Sequence, residues 1–187
     1  MLNIAIWNVR GLNKRDHQLA VKDLVVEFRL HLIGLFETRL RLHNVPRIQS
    51  FLLPQWKWFV DYATVGNHIW LAWDDNYTDV DVLALGPQFL HTRVTIKASH
   101  ESIVATVLYG ANEVADRREL WGSLEALASQ CVDIPWIIGG DFNAVRNLSE
   151  IMLQQRAKMQ LMKEGTNVGE SSFARLLKGG LREEYSK

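Results

Sequence analysis

Four short apolar runs in this sequence each end in polar residues of the kinds that bind metal ions or phosphate groups. The runs read IAIW, LIGLF, VATVL and PWII, and their length and composition suit buried strands. The polar residues that follow them are Asn8, Glu37, Tyr109 with Asn112, and Asp141 with Asn143. Ligand sites of α/β proteins collect at strand ends, where the sheet fixes side chains and loops leave them accessible. The sequence therefore favours one common site.

The residue types at these four junctions suit the hydrolysis of a phosphate ester. Mg²⁺ takes oxygen ligands from one or two carboxylates and keeps several waters, which fits Glu37 with Asn8 nearby. Asp141 could then orient or deprotonate an attacking water, and the two glycines before it allow close approach of the backbone to a substrate. The groups that remain to contact the phosphate oxygens are Tyr109, Asn112 and Asn143. Each junction alone also suits a helix cap or a turn, so only the set favours a phosphodiester or phosphomonoester hydrolase.

The elements that must position these residues follow from the hydrophobic pattern. A β-α-β opening is predicted from the strand Leu2–Trp7, the amphipathic helix Asp16–Phe28 and the buried strand Leu32–Phe36. A second amphipathic helix, Asp116–Ser129, precedes a final strand at Pro135–Ile138. The neighbouring strands between them, which imply antiparallel pairing, are Trp56–Tyr62, His68–Trp73, Asp79–Leu85, Leu90–Lys97 and Ser102–Leu108. The fold class is α/β or α+β.

Composition narrows the class of protein. The 187 residues are 48% hydrophobic and 22% charged, which is ordinary for a globular chain. The net charge is zero, but residues 1–150 carry −3 and residues 151–187 carry +3, which suggests that the two parts differ in origin. The single cysteine, Cys131, excludes an intramolecular disulfide, and no signal peptide or membrane span is recognisable. We expect an intracellular protein, nuclear or cytoplasmic, of undetermined oligomeric state.

The motifs around the four junctions also resemble a known family. IAIWNVRGLN, LIGLFETRL, VLYGAN and WIIGGDFNAV are similar, in order and separation, to the endonuclease/exonuclease/phosphatase superfamily. In wording they resemble the AP-endonuclease-like domain of plant LINE-type (non-LTR) retrotransposons. The likeness covers residues 1–150 and implies a two-sheet α/β sandwich flanked by helices. It also implies cleavage of phosphodiester bonds with Mg²⁺ or Mn²⁺, and DNA as the partner.

The resemblance assigns a role to each junction. By motif, Glu37 is similar to the family's metal-binding glutamate and Asn8 to its active-site asparagine. The residues that resemble its transition-state contact, its phosphate contact and its nucleophile-activating pair are Tyr109, Asn112, Asp141 and Asn143. The resemblance thus implies the same roles as the chemistry of the residues, except that Asn143 is paired with Asp141 instead of contacting the phosphate.

The family's later motifs have no counterpart in this sequence. The resemblance implies further strands, an arginine-rich segment, an aspartate and a terminal Ser-Asp-His, but residues 142–187 contain neither aspartate nor histidine. No upstream histidine, including His43 and His68, is placed at the site by its motif. We therefore expect a C-terminally truncated domain with an incomplete second sheet and an open edge or apolar face at Pro135–Ile138. Nuclease activity is expected to be impaired or absent, because the missing groups act as a unit with those present.

The remaining segment, residues 151–187, resembles the linker between nuclease and reverse transcriptase in the same retrotransposon polyproteins. Its pattern predicts a helical tail, with helices at Ile151–Glu164 and Ser171–Lys178. The domain organisation is thus a nuclease-like domain over residues 1–150 and a tail over 151–187. Two alternatives stay open: a non-catalytic remnant that binds nucleic acid or another protein, and a chain that folds poorly and has no selected function.

Overall fold

The structure, a computed structural model, describes residues 1–60 and 69–143. These residues belong to one compact unit, Met1–Asn143. The predicted tail over residues 151–187, with its helices Ile151–Glu164 and Ser171–Lys178, lies outside the described residues. Within the described ranges, no helix is long and apolar enough to cross a membrane.

The first sheet has four strands in the order β1-β2-β4-β3. Strands β1 (Ile4–Asn8) and β2 (Leu32–Phe36) are parallel, because helix α1 (Arg15–Glu27) carries the chain back between them. Strands β3 (Lys57–Val60) and β4 (Trp70–Trp73) pair antiparallel to each other, and β4 pairs antiparallel to β2. All five residues of β2 are buried, which is why its sequence is a continuous apolar run.

The second sheet also has four strands, in the order β5-β6-β7-β8. Strands β5 (Thr78–Gly86), β6 (Phe89–Ile96) and β7 (Ser102–Tyr109) form an antiparallel meander. Helix α3 (Val114–Ala128) then returns the chain, so that β8 (Trp136–Asp141) lies parallel to β7. The two sheets and their helices confirm the predicted mixed α/β sandwich.

The two sheets pack face to face over an apolar core, and small residues permit their close approach. A Cβ atom added at Gly34 in β2 would lie 2.8 Å from a methyl carbon of Val107 in β7. One added at Gly139 in β8 would lie 2.6 Å from Cδ1 of Ile6 in β1. The central core contains Leu32, Phe36, Leu71, Leu90, Val94 and Val107. A larger residue at either place would therefore force Val107 or Ile6 to shift.

Helix α2 (Val45–Leu52) follows a short 3-10 helix at Leu42–Asn44 and is missing from the predicted elements. Its signal was present in the sequence, because Val45, Ile48 and Leu52 are buried at helical spacing and a proline lies in its first turn. The helix is nevertheless hard to recognise in the sequence, because it has only eight residues and no side-chain hydrogen bond caps its N-terminus.

Parallel pairing brings the four junctions to one end of the sandwich. In register, Asn8 is opposite Phe36, the residue before Glu37, and Tyr109 is opposite Asp141. Strands β1 and β8 are the neighbouring edges of the two sheets. The carboxyl ends of β1, β2, β7 and β8 therefore meet, as the sequence predicts.

Strand β8 is the last described strand of its sheet. It pairs with β7 on one side, and no other described strand pairs with it. The side chains of Ile137 and Ile138 stay 45% and 37% exposed. An apolar groove of about 780 Å³ runs beside this edge, with Ile4, Ile6, Ile103 and Ile137 among its lining residues. The open edge predicted at Pro135–Ile138 stays a prediction, because residues 144–187 lie outside the described part of the chain.

Candidate active site

The centre of the site is the Glu37 carboxylate, at the carboxyl end of β2. Its Oε1 atom accepts hydrogen bonds from Asn8 Nδ2 at 2.9 Å and from the Tyr109 hydroxyl at 3.0 Å. Its Oε2 atom accepts one from Arg39 Nη2 at 2.7 Å. The Tyr109 bond joins the two sheets, because Glu37 follows β2 and Tyr109 ends β7. Three of the six predicted site residues are thus directly connected.

These contacts change the acidity of both titratable groups. Burial alone would raise the pKa of Glu37, but the hydrogen bonds from Asn8, Tyr109 and Arg39 and the charge of Arg39 outweigh burial and lower it. The pKa of Tyr109 is raised by burial, by its hydrogen bond to Glu37 and by the negative charges of Glu37 and Asp141. At neutral pH the site therefore holds an ionised Glu37 beside a protonated tyrosine.

The main chain around the site contains several left-handed residues. Non-glycine residues with positive φ include Arg10 (47°), Glu37 (54°), Arg39 (53°) and Asn143 (46°), and all four lie in the loops after β1, β2 and β8. Such conformations are uncommon for residues with a Cβ atom and persist only where surrounding contacts fix them. The loops that carry the site are therefore held in defined, strained conformations.

Asp141 and Asn143 are bound to each other and to the loop after Tyr109. Asp141 Oδ1 accepts a hydrogen bond from the Asn143 main-chain N–H at 3.0 Å, which forms an Asx turn. Asn143 Nδ2 donates to the carbonyl oxygen of Gly110 at 2.6 Å, and the Gly110 N–H donates to the Asp141 carbonyl at 2.7 Å. The side-chain amide of Asn143 therefore holds the loop that follows β7.

Two further side chains, which the motifs did not single out, fix the same loop. Gln88 Oε1 accepts from the Ala111 N–H at 2.6 Å, and Gln88 Nε2 donates to the Asp116 carbonyl at 2.9 Å. Arg117 Nη1 donates to the carbonyls of Ala111 and Asn112 at 2.7 and 2.6 Å. Arg117 is only 8% exposed, which is rare for arginine. The one sequence signal for it is its helical spacing from the buried leucines of α3.

The Asn112 side chain is separate from the Glu37 cluster. Asn112 is exposed, and its side chain forms no hydrogen bond with another residue in the described part of the chain. The clamped main chain presents it to solvent at the end of β7. Its predicted role as a phosphate contact stays a prediction.

The predicted glycine pair has a packing role in the fold. Gly139 lies against Ile6, and Gly140 has a φ of +142° with its Cα facing the main chain of Leu108. Their sequence interpretation, close approach of the backbone to a substrate, did not anticipate these contacts. Directly before Asp141, Gly139 thus permits the packing of β8 against β1, and Gly140 permits the β7–β8 pairing.

The site offers a divalent cation few donors from the protein. Within the described residues, no three His, Cys, Asp or Glu side chains group closely enough to hold a metal ion by themselves. A hard cation such as Mg²⁺ nevertheless needs only one or two carboxylates together with waters and substrate oxygens. Glu37 fits this requirement through Oε2, provided that Arg39 leaves that atom.

Solved structures share this fold at low sequence identity. An endonuclease/exonuclease/phosphatase family protein from Bacteroides thetaiotaomicron matches with a TM-score of 0.60 and 16% identity, over 78% of this chain and 65% of that one. The mannosyl-6-phosphatase Bt3783 of the same organism gives 0.58 and 16%, over 76% and 66%. The endonuclease domain of TRAS1, a telomere-specific non-LTR retrotransposon, gives 0.56 and 12%, over 78% and 62%. The chain thus spans slightly less than two thirds of these structures.

A family model gives the assignment that these structures alone do not. No curated protein sequence matches this chain. The model of the Endonuclease/Exonuclease/phosphatase family matches residues 5–171, which includes every residue of the site and extends past residue 150. The protein therefore belongs to the endonuclease/exonuclease/phosphatase family.

Proposed function

We propose that this protein has the site of a divalent-metal-dependent phosphodiesterase that acts on DNA. The observation that carries the proposal is the direct contact of Glu37 with Asn8 and Tyr109, beside Asp141, at the meeting point of four strand ends. Membership of a family named for nucleases and phosphatases supports the hydrolysis of a phosphate ester as the reaction class. Two observations favour DNA as the substrate. The motif sequences resemble those of plant LINE-type retrotransposons, and the fold is similar to that of the TRAS1 endonuclease domain.

The residues divide the work as follows. Glu37 binds the cation through Oε2, and Asn8 holds the carboxylate in place through Oε1. Bound Mg²⁺ or Mn²⁺ would neutralise charge that develops on the phosphate oxygens. Asp141 is fixed through Oδ1 by Asn143, and its second oxygen orients the attacking water and accepts its proton. Tyr109 stays protonated, so it can donate a hydrogen bond. Asn112 contacts the phosphate from the exposed side of the site.

We also propose that residues 1–187, tested by themselves, turn over slowly, because the final motifs implied by the retrotransposon resemblance have no counterpart in them. No histidine or aspartate follows Asp141 in this sequence. The proposal therefore assigns no histidine of residues 1–187 to protonate or stabilise the leaving oxygen. Added imidazole in the buffer supplies the same chemistry and should increase the rate.

A nicking assay on supercoiled and abasic DNA tests the proposal. We expect slow nicking that requires Mg²⁺ or Mn²⁺, is accelerated by imidazole and is lost in Glu37→Gln and Asp141→Asn. Glu125→Gln, an exposed carboxylate on α3, makes the same chemical change away from the site and should nick like the wild type. Nicking that persists in Glu37→Gln or in the presence of a chelator would refute the proposal.

A second candidate is a non-catalytic module that binds nucleic acid. It is favoured by the pairing of both Glu37 oxygens with protein donors, which leaves the carboxylate fully satisfied without a metal. Such a module should bind DNA with an affinity that falls with salt and ignores chelation. No nicking in the presence of imidazole, together with metal-independent DNA binding, would select this candidate over the enzyme.

A further inference from the structure

The exposed side of the Glu37 carboxylate is occupied by Arg39, a residue that the roles above do not use. The two side chains form an ion pair with 2.7 Å between Arg39 Nη2 and Glu37 Oε2. The Glu37 side chain is 17% exposed, whereas that of Arg39 is 65% exposed. A mostly buried carboxylate is thus neutralised by a cation that belongs to the same loop and lies mostly in solvent.

The two oxygens of Glu37 have different surroundings. Oε1 accepts its hydrogen bonds from Asn8 and Tyr109 in a partly buried setting, whereas the bond from Arg39 to Oε2 is exposed. A cation that arrives from solvent therefore reaches Oε2 first. Arg39 Nη2 already lies at that position. The guanidinium and a metal ion cannot both bind this oxygen in the same way.

The main chain at Arg39 is fixed, while the guanidinium is not. The carbonyl oxygen of Arg39 accepts a hydrogen bond from Asn13 Nδ2 at 2.9 Å, and the preceding residue, Thr38, accepts one from the Leu12 N–H at 2.8 Å. Among the described residues, the guanidinium forms one hydrogen bond, to Glu37. Rotation about side-chain bonds is enough to free Oε2, and no change in the loop is needed.

We propose that Arg39 is a built-in competitor of the divalent cation at Glu37. In the metal-free protein it neutralises the carboxylate, and it must leave Oε2 when the cation binds. The inference rests on the proposed function, since Glu37 is the metal ligand only there. Loss of the guanidinium removes both the competing ion pair and a positive charge beside the bound metal. We therefore expect Arg39→Gln to bind Mn²⁺ about threefold to tenfold more tightly than the wild type.

Mn²⁺ binding to the full chain, followed by the electron paramagnetic resonance signal of free Mn²⁺, tests this without any turnover. The matched control is Arg41→Gln, which removes the same charge from an exposed arginine in the following segment. We expect its affinity to stay within about twofold of the wild type, because a charge further from Glu37 is screened by salt. As a second measurement, Mn²⁺ should raise the melting temperature of Arg39→Gln more than that of the wild type.

The outcomes separate this inference from the proposed function. Tighter binding in Arg39→Gln but not in Arg41→Gln, together with loss of binding in Glu37→Gln, supports the competition. Unchanged or weaker binding in Arg39→Gln, with binding still lost in Glu37→Gln, overturns the competition and leaves the metal site intact. Mn²⁺ binding that is absent in every variant, or that survives in Glu37→Gln, overturns the proposed metal site itself.

Discussion

Replacement of Gly140 by alanine should be among the most damaging single changes to the described part of this fold. Gly140 has a φ of +142°, a conformation that is accessible almost only to glycine. A Cβ atom there would overlap the carbonyl oxygen of Leu108 and lie 2.8 and 2.9 Å from its carbonyl carbon and nitrogen. Leu108 cannot move aside, because it is the register partner of Gly140 in the β7–β8 pairing.

The magnitude follows from two terms of the same sign. Forcing a residue with a Cβ into this region costs about 1–3 kcal/mol. Displacing a main-chain carbonyl from a paired strand adds the loss of at least one hydrogen bond, about 1 kcal/mol. We therefore expect Gly140→Ala to lower the free energy of unfolding by about 3 kcal/mol, a large part of the 5–15 kcal/mol typical of a domain.

Urea unfolding followed by tryptophan fluorescence measures this difference. The matched control is Gly122→Ala in helix α3, where a Cβ atom would meet no atom within 4 Å. Because alanine favours helices, the control should raise stability by about 0.5–1 kcal/mol. A Gly140→Ala protein within about 1 kcal/mol of the wild type would show that the β7–β8 pairing does not need glycine at this position.

Two further predictions concern buried polar groups. Burial lowers the pKa of His91, so His91 takes up a proton at higher pH in the unfolded protein than in the folded one. The urea midpoint should therefore fall as the pH drops below the ordinary pKa of 6.5. This fall should be smaller in His91→Gln. An equal pH dependence of the urea midpoint in both proteins would show that His91 does not cause the loss of stability. Arg117→Met leaves the carbonyls of Ala111 and Asn112 without their donor and should cost about 2 kcal/mol, whereas Arg118→Met, an exposed neighbour, should cost under about 0.5 kcal/mol. Equal urea midpoints for the two arginine variants would show that the hydrogen bonds from Arg117 do not stabilise the fold.

Periodicity was sufficient to predict most of the fold. The strand Leu32–Phe36 was predicted with its observed bounds, because a short apolar run between polar residues has few other interpretations. The strand predicted at Pro135–Ile138 is observed as Trp136–Asp141, since its glycines gave no hydrophobic signal. Helix α2 was missed for a related reason, because its apolar positions are too few to establish a helical period.

The meeting of the site residues could be predicted, but their contacts could not. Strand-end logic placed Glu37 and Tyr109 at one end of the molecule. That the tyrosine donates to the same carboxylate oxygen as Asn8 depends on the packing of two sheets over 72 residues of sequence separation. The ligand pattern did not indicate Arg39, because arginine offers no oxygen ligand, whereas its proposed role is to compete with the cation for Glu37.

The polar contacts of the site also stabilise the strained loops that carry it. Four left-handed residues would each favour a different loop conformation in isolation. The lowered pKa of Glu37 shows that its ionised form is better stabilised in the folded protein than in the unfolded one. Its contribution is therefore present above the ordinary pKa of 4.5 and is lost as pH falls through the lower folded value. Because Glu37 contacts Asn8 and Tyr109, the carboxylate proposed to bind the metal also offsets the strain of its own loops.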